Sequence, residues 1–290
     1  MKRFLWILLV VLVRVPMSAS DHEGVHEELR DMFSRLNPAN DTVVVDSAAQ
    51  VMLNDSIKKC IMRVLAFEGG FAFAFDSVPQ LGRVVADDGR FVVYSWNYIP
   101  QDRRMVYNCI VQDDRGNIQY MFQYQPYKPY ENEKLTADEW YGALYYDVIA
   151  YEHRDVSYYV CIGWSRYNRI TQYKVIDVLY FDDFGQLRMG FPMFHLGGDM
   201  VMRRLVYEYD GQVQMSILYD SKKKRIVMDH LSPMRKIYGR EIMGPDLSLD
   251  ALLRKHDGWV LKEDIKVNNE DDGVRRKRIK PVERTYYRSL

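Results

Sequence analysis

The chain has 290 residues, 40 basic against 40 acidic side chains, and 48% hydrophobic content. It can therefore bury a core without metals or bridges, and it is neither a disordered nor a strongly basic protein. Twenty-two tyrosines against 12 phenylalanines and 5 tryptophans suit sheets with one face half wet, and three cysteines are too few for a disulfide scaffold at this length.

The N-terminus reads as an export signal. Lys2 and Arg3 precede FLWILLVVLV at 4–13, and RVPMSAS brings small Ser18, Ala19 and Ser20. A basic start, a short apolar run and a small-residue site predict a secretory signal peptide over 1–19, cut after Ala19. A spanning helix needs about 20 apolar residues, and Arg14 and Pro16 interrupt this run. The expectation is an exported protein that is not an integral membrane protein. Loss of 1–19 leaves 37 basic and 40 acidic residues, which argues against nucleic-acid binding.

Residues 20–70 predict a helical N-terminal cap. HEELRDMFSRL places Leu29, Met32, Phe33 and Leu36 on one face of a helix that Asn37 and Pro38 stop. NDSIKKCIMRVLAF predicts a second helix, with Asn54, Asp55 and Ser56 as capping residues and Ile57, Cys60, Ile61, Val64 and Leu65 on one face. Asn40 and Asn54 sit in glycosylation sequons, and capping explains Asn54 better.

From Phe71 the period changes to two. Strands are predicted at 71–75, 83–86, 91–98, 105–112, 117–124, 142–151, 157–164, 172–181, 186–191, 203–209, 213–219 and 225–230. Acid-then-Gly turns separate many of them: Asp87-Asp88-Gly89, Asp113-Asp114-Arg115-Gly116, Asp182-Asp183-Phe184-Gly185 and Asp210-Gly211. Asp bonds its own backbone there and Gly accepts positive φ. The fold class is mainly β over 71–265: an antiparallel hairpin meander forming a curved sheet or an open barrel or sandwich. The alternative is a propeller-like ring, for which about a dozen strands supply few blades. A short capped helix from Leu247 to Lys255 and a last strand around Trp259 to Leu261 precede a tail at 266–290. Between Val274 and Leu290 that tail carries seven basic residues against Glu283 alone, a solvated run.

No catalytic signature stands out. GxSxG, a phosphate-binding glycine loop and EF-hand spacing are all missing from the sequence, whereas HEGVH at 22–26, just past the predicted cleavage site, does carry the HExxH spacing. The cysteines, Cys60, Cys109 and Cys161, fit no zinc spacing and are expected to pack. His22 and His26, at i and i+4, make at most half a metal site, so no metal and no cofactor are expected. The paired aspartates are explained by their turns.

Aromatic residues offer the better site. QYQPYKPYENEKL at 123–135 spaces Tyr124, Tyr127 and Tyr130 three apart, with Pro126 and Pro129 between. Prolines hold such a segment extended, and a three-residue period aligns the tyrosines on one edge. Together with Trp140, which follows closely, these are the candidate ligand-binding residues. The stretch 158–181, YYVCIGWSRYNRITQYKVIDVLYF, is apolar or aromatic on both faces of both its strands and predicts the covered centre of a sheet.

DGRFVVYSWNY, WYGALYY, YYVCIGW followed by KVIDVLYF, and GPDLSLDALLRKHDGW together resemble a family of exported proteins of Bacteroidetes-type bacteria. These motifs span about residues 50 to 265. They are strand and turn motifs, so the resemblance implies a bacterial envelope setting and carries no catalytic residue over. The basic tail is unlike the folded sorting domain of surface-secreted proteins in that group, which favours the periplasm. The expected function is non-enzymatic binding of an envelope glycan or an envelope protein partner. One alternative is a hydrolase acting on glycan or peptidoglycan, and another is an assembly partner that makes contact through the basic tail.

Overall fold

The computed structural model describes residues 19–38, 45–100, 104–123, 131–166, 168 and 170–266. The signal segment up to 18, the sequon at Asn40 and the tail from 267 lie outside the described residues.

Helix α1 (Ala19–Leu36) and helix α2 (Ser47–Ala66) form the outer layer. Asp46 caps α2, accepting from Ala49 N at 3.0 Å. The expected cap at Asn54, Asp55 and Ser56 is therefore corrected: helix-tolerant Ala48, Ala49, Gln50, Val51 and Met52 extend α2 two turns upstream. Asn54 instead points at the neighbouring sheet, accepting from Trp96 Nε1 and donating to Asn108 Oδ1, each at 2.8 Å.

The helices cover a four-stranded antiparallel meander of β1 (Gly82–Val85), β2 (Phe91–Tyr98), β3 (Val106–Asp113) and β4 (Ile118–Met121). Leu29, Phe33, Ile57, Ile61 and Val64 meet Val92, Tyr94, Trp96 and Ile110 in the first core. The strand expected at 71–75 does not form. Gly70–Ala72 is a 3-10 turn, and Phe73 and Phe75 are buried against this core as an edge-on aromatic pair. Their alternation follows from packing under the helices, without a strand partner.

The second sheet contains β5 (Leu135–Thr136), β6 (Leu144–His153), β7 (Val156–Ser165), β8 (Thr171–Phe181) and β9 (Leu187–Met189), with β12 (Leu205–Asp210) paired to β8. The third has the order β11-β10-β16-β15-β14-β13. Its strands are β10 (Phe194–Gly197), β11 (Met200–Met202), β13 (Ile217–Asp220), β14 (Arg225–Ile237), β15 (Arg240–Lys255) and β16 (Gly258–Lys262). Strands β10 and β16 pair in parallel, against the antiparallel rule elsewhere in the named sheets. The helix expected from Leu247 to Lys255 is strand β15, which is paired to β14 on one side and to β16 on the other. Its leucines satisfy a helical spacing locally, but two flanking ladders and burial of Ala251 and Leu252 decide the outcome.

The architecture is thus mainly β with N-terminal helices, built as helices on sheet on sheet on sheet. The three sheets stack and none closes into a barrel or a propeller ring. Strands β7 and β8 are the covered centre that the sequence predicts. Tyr159, Cys161, Tyr173, Val175 and Leu179 face the core shared with the first sheet. Tyr158, Val160, Ile162, Ile176 and Val178 face the core shared with the third.

Candidate functional site

Tyr124, Tyr127 and Tyr130 fall within 124–130, outside the described residues, but the residues flanking that segment are described. Gln123 forms a lone parallel bridge with Trp140. Its Oε1 accepts from Tyr107 N at 2.7 Å, and its Nε2 donates to Tyr141 O at 3.2 Å. A glycine is required at 142 for this, because the backbone there has φ +88° and a Cβ would lie 2.5 Å from Gln123 Nε2. On the far side of the segment, Arg204 N donates to Glu131 O at 3.0 Å.

These two anchors are joined through the interior. Tyr141 Oη donates to Asp177 Oδ2 at 2.9 Å, and Arg204 Nε donates to the same oxygen at 2.6 Å. Val178 N donates to the other carboxylate oxygen at 2.7 Å. The Arg204 guanidinium lies 5.1 Å from the centre of the Tyr141 ring, so the cation is also met by a π face. Trp140 Nε1 donates to Tyr145 Oη at 3.1 Å, and the Tyr145 and Tyr141 hydroxyls are 3.3 Å apart. The route from Gln123 through Tyr141, Asp177 and Arg204 to Glu131 is continuous.

The centre of the network is fully desolvated, with both side chains of the Asp177–Arg204 pair at 0% exposure. Burial pushes the Tyr141 and Tyr145 hydroxyls well above the usual phenol range, and the nearby Asp177 charge adds to it. Burial alone pulls the Arg204 guanidinium down, but the Asp177 carboxylate more than offsets this and holds it charged. Replacing such a pair by packed apolar residues is commonly neutral or stabilising by about 1–4 kcal/mol. Stability alone therefore gives little reason for it, whereas it joins Gln123 to Glu131, the described residues on either side of 124–130.

Trp140 needs correction as a contact residue. It is fully buried in the core between the first and second sheets, since its indole fills the space beside Tyr141 and Tyr145. It supports the platform from within and offers no outer surface. Sequence reading missed Asp177 and Arg204. The available signal was a lone aspartate in the otherwise apolar or aromatic alternation Tyr173, Val175, Asp177, Leu179, Phe181.

Other polar groups are bound up in the fold. The Oδ1 atoms of Asp113, Asp182 and Asp210 accept from the amides of Arg115, Phe184 and Gln212, as turn chemistry predicts. Asp87 accepts from Ala150 N at 2.7 Å and so ties the first sheet to the second. Cys60, Cys109 and Cys161 are free and buried, and burial raises all three thiols, Cys60 to about 11. His230 Nδ1 lies 2.8 Å from Asp250 Oδ2, and the same carboxylate accepts from Asp264 N at 3.1 Å. That hydrogen bond raises the imidazole's pKa, which suits a charged clamp better than a neutral base. Among the described residues no group of three or more His, Cys, Asp or Glu side chains is arranged to hold a metal ion, and no helix is long and apolar enough to cross a membrane.

Compared with models of known protein families, with curated proteins and with solved structures, the chain matches none.

Proposed function

We propose that the protein is exported and acts by binding an envelope glycan through the tyrosines of 124–130, without catalysing a reaction. One observation carries this reading: the residues on either side of that segment, Gln123 and Glu131, are tied to each other through the buried Asp177–Arg204 ion pair. Binding segments work when a rigid body sets where they start and end. Tyrosines three apart with prolines between them align along one edge of an extended segment, and their aromatic faces suit stacking on sugar rings. The signal-like N-terminus and the resemblance to exported bacterial proteins support the setting, with the periplasm ahead of the cell surface.

The test uses residues 20–290 incubated with purified envelope polysaccharide and with peptidoglycan. Sedimentation should show protein in the pellet and no saccharide fragments in the supernatant. Tyr127→Ala with Tyr130→Ala should lose retention while stability changes by no more than about 0.5 kcal/mol, the usual range for surface substitutions. Released fragments would identify a hydrolase and end the non-enzymatic reading. A large loss of stability would show those rings to be core.

A further inference from the structure

The distal halves of β14 and β15 form a two-stranded arm. Strand β13 pairs only with Arg225–Met228 of β14, and β16 only with Ala251–Lys255 of β15. Beyond those residues the ribbon has no further strand partner among the named strands. It is nevertheless held to the body: Arg235 forks onto buried Asp210 through Nε and Nη2, and Arg240 Nη2 donates to Glu208 Oε2 at 2.9 Å. Ion pairs thus fasten it to β12, beside the buried Ile242.

Two large apolar residues on this arm combine unusual features. Tyr238, at the tip, has φ +49° and is 97% exposed; Leu247, at a bulge, has φ +77° and is 96% exposed. Bulky side chains avoid the left-handed region because Cβ crowds the following carbonyl. The tip turn Tyr238-Gly239, with φ +49° and +78°, is of the kind that Asn-Gly fills without strain. At the bulge, Asp246 Oδ1 accepts from Ser248 N and Ser248 Oγ at 3.0 and 2.7 Å, which braces the loop that turns Leu247 outward. Neither side chain gains burial in return. Met234, 55% exposed, adds to the apolar surface.

The chemistry of the surroundings selects the partner. Lys236 and Arg240 flank Tyr238 and, although paired with Glu241 at 3.7 Å and Glu208 at 2.9 Å, keep their side chains 70% and 67% exposed. Tyrosine, methionine and arginine are the residues enriched at protein interfaces. The anchors are nine residues apart, roughly 25–30 Å of extended chain, which is too far for one sugar ring. Exposed Glu241 and Asp246 lie between them and would face an anionic bilayer unfavourably. Strand addition is opposed by Pro233 and Pro245, which cannot donate, and by register shifts between Asp229 and Leu231 and between Pro233 and Arg235.

We propose that the β14–β15 arm docks a folded protein partner, with Tyr238 entering an apolar pocket whose acidic rim meets Lys236 and Arg240, and Leu247 making a second contact. This surface is separate from the glycan reading and does not depend on it. To test it, a photo-crosslinking residue replaces Tyr238, Leu247 or, as control, exposed Phe184 in the full chain expressed in its host. The expected result is one discrete protein adduct, identical by mass spectrometry from positions 238 and 247 and missing from 184. Unlabelled mature protein should compete it away, whereas Tyr238→Asn should compete at least tenfold more weakly while melting no lower than the parent. The proposal would be overturned by no adduct, the same adduct from 184, an adduct made of a second copy of this chain, or full competition by Tyr238→Asn. Binding of the parent protein to anionic vesicles that is lost in Tyr238→Asn would overturn it in favour of a lipid surface.

Discussion

Consider replacing both members of the buried Asp177–Arg204 pair, singly and together. Asp177→Leu leaves the guanidinium at a 0% exposed position without its carboxylate, at a cost of about 3–5 kcal/mol. Arg204→Met leaves the carboxylate with only the Tyr141 hydroxyl and the Val178 amide as donors; its cost is again about 3–5 kcal/mol. The double variant buries neither charge. What remains is the loss of two hydrogen bonds to the carboxylate, from the Tyr141 hydroxyl and the Val178 amide, each worth about 1 kcal/mol and partly offset by added apolar packing and by the Tyr145 hydroxyl 3.3 Å from that of Tyr141. The double variant should therefore lie within about 2 kcal/mol of the parent, giving a coupling energy of several kcal/mol where independent sites give a few tenths. Urea unfolding of residues 20–290, followed by tryptophan fluorescence, measures all four corners. The double variant should also fold well yet lose glycan retention, because Tyr141 and Arg204 no longer connect Gln123 to Glu131. Single variants within about 1 kcal/mol of the parent, or an additive cycle, would refute the desolvated pair. A stable double variant with full retention would refute its positioning role.

Three further outcomes follow from the same structure. Gly142→Ala should destabilise by about 2–4 kcal/mol, from left-handed strain and a clash with Gln123 and Tyr107; adding Gln123→Ala should recover part of this in the same unfolding assay, and no recovery would mean the clash lies elsewhere. Tyr238→Asn should raise stability by about 1 kcal/mol by relieving the tip turn, seen as a melting rise of about 2–4 °C; a fall would show that the ring packs. His230, raised above its ordinary 6.5 by its hydrogen bond to Asp250 and by the Asp246 and Glu263 charges, contributes stability that is fully present below that ordinary value. The contribution is lost as pH rises through the higher folded value. The stability gap between the parent and His230→Gln should therefore narrow from pH 6 to pH 8, and a gap that widens would contradict the clamp.

Much of this protein follows from local sequence alone. The period-two pattern places 91–98, 105–112, 157–164 and 172–181 close to β2, β3, β7 and β8, because alternation and a doubly apolar strand are properties of a few adjacent residues. The aspartate turns are equally local, since the carboxylate bonds an amide two residues on. Three features depended on the tertiary structure. Residues 247–255 could satisfy a helix or a strand, and only the ladders from β14 and β16 settle them as β15. Asn54 looks like a cap until Trp96 and Asn108, more than 40 residues away, supply its partners. Asp177 and Arg204, 27 residues apart, find each other only when β12 pairs with β8 and water is excluded from between the sheets. Local chemistry sets the menu of elements; long-range pairing and burial decide which groups meet in the dry interior, and there a charge needs a partner.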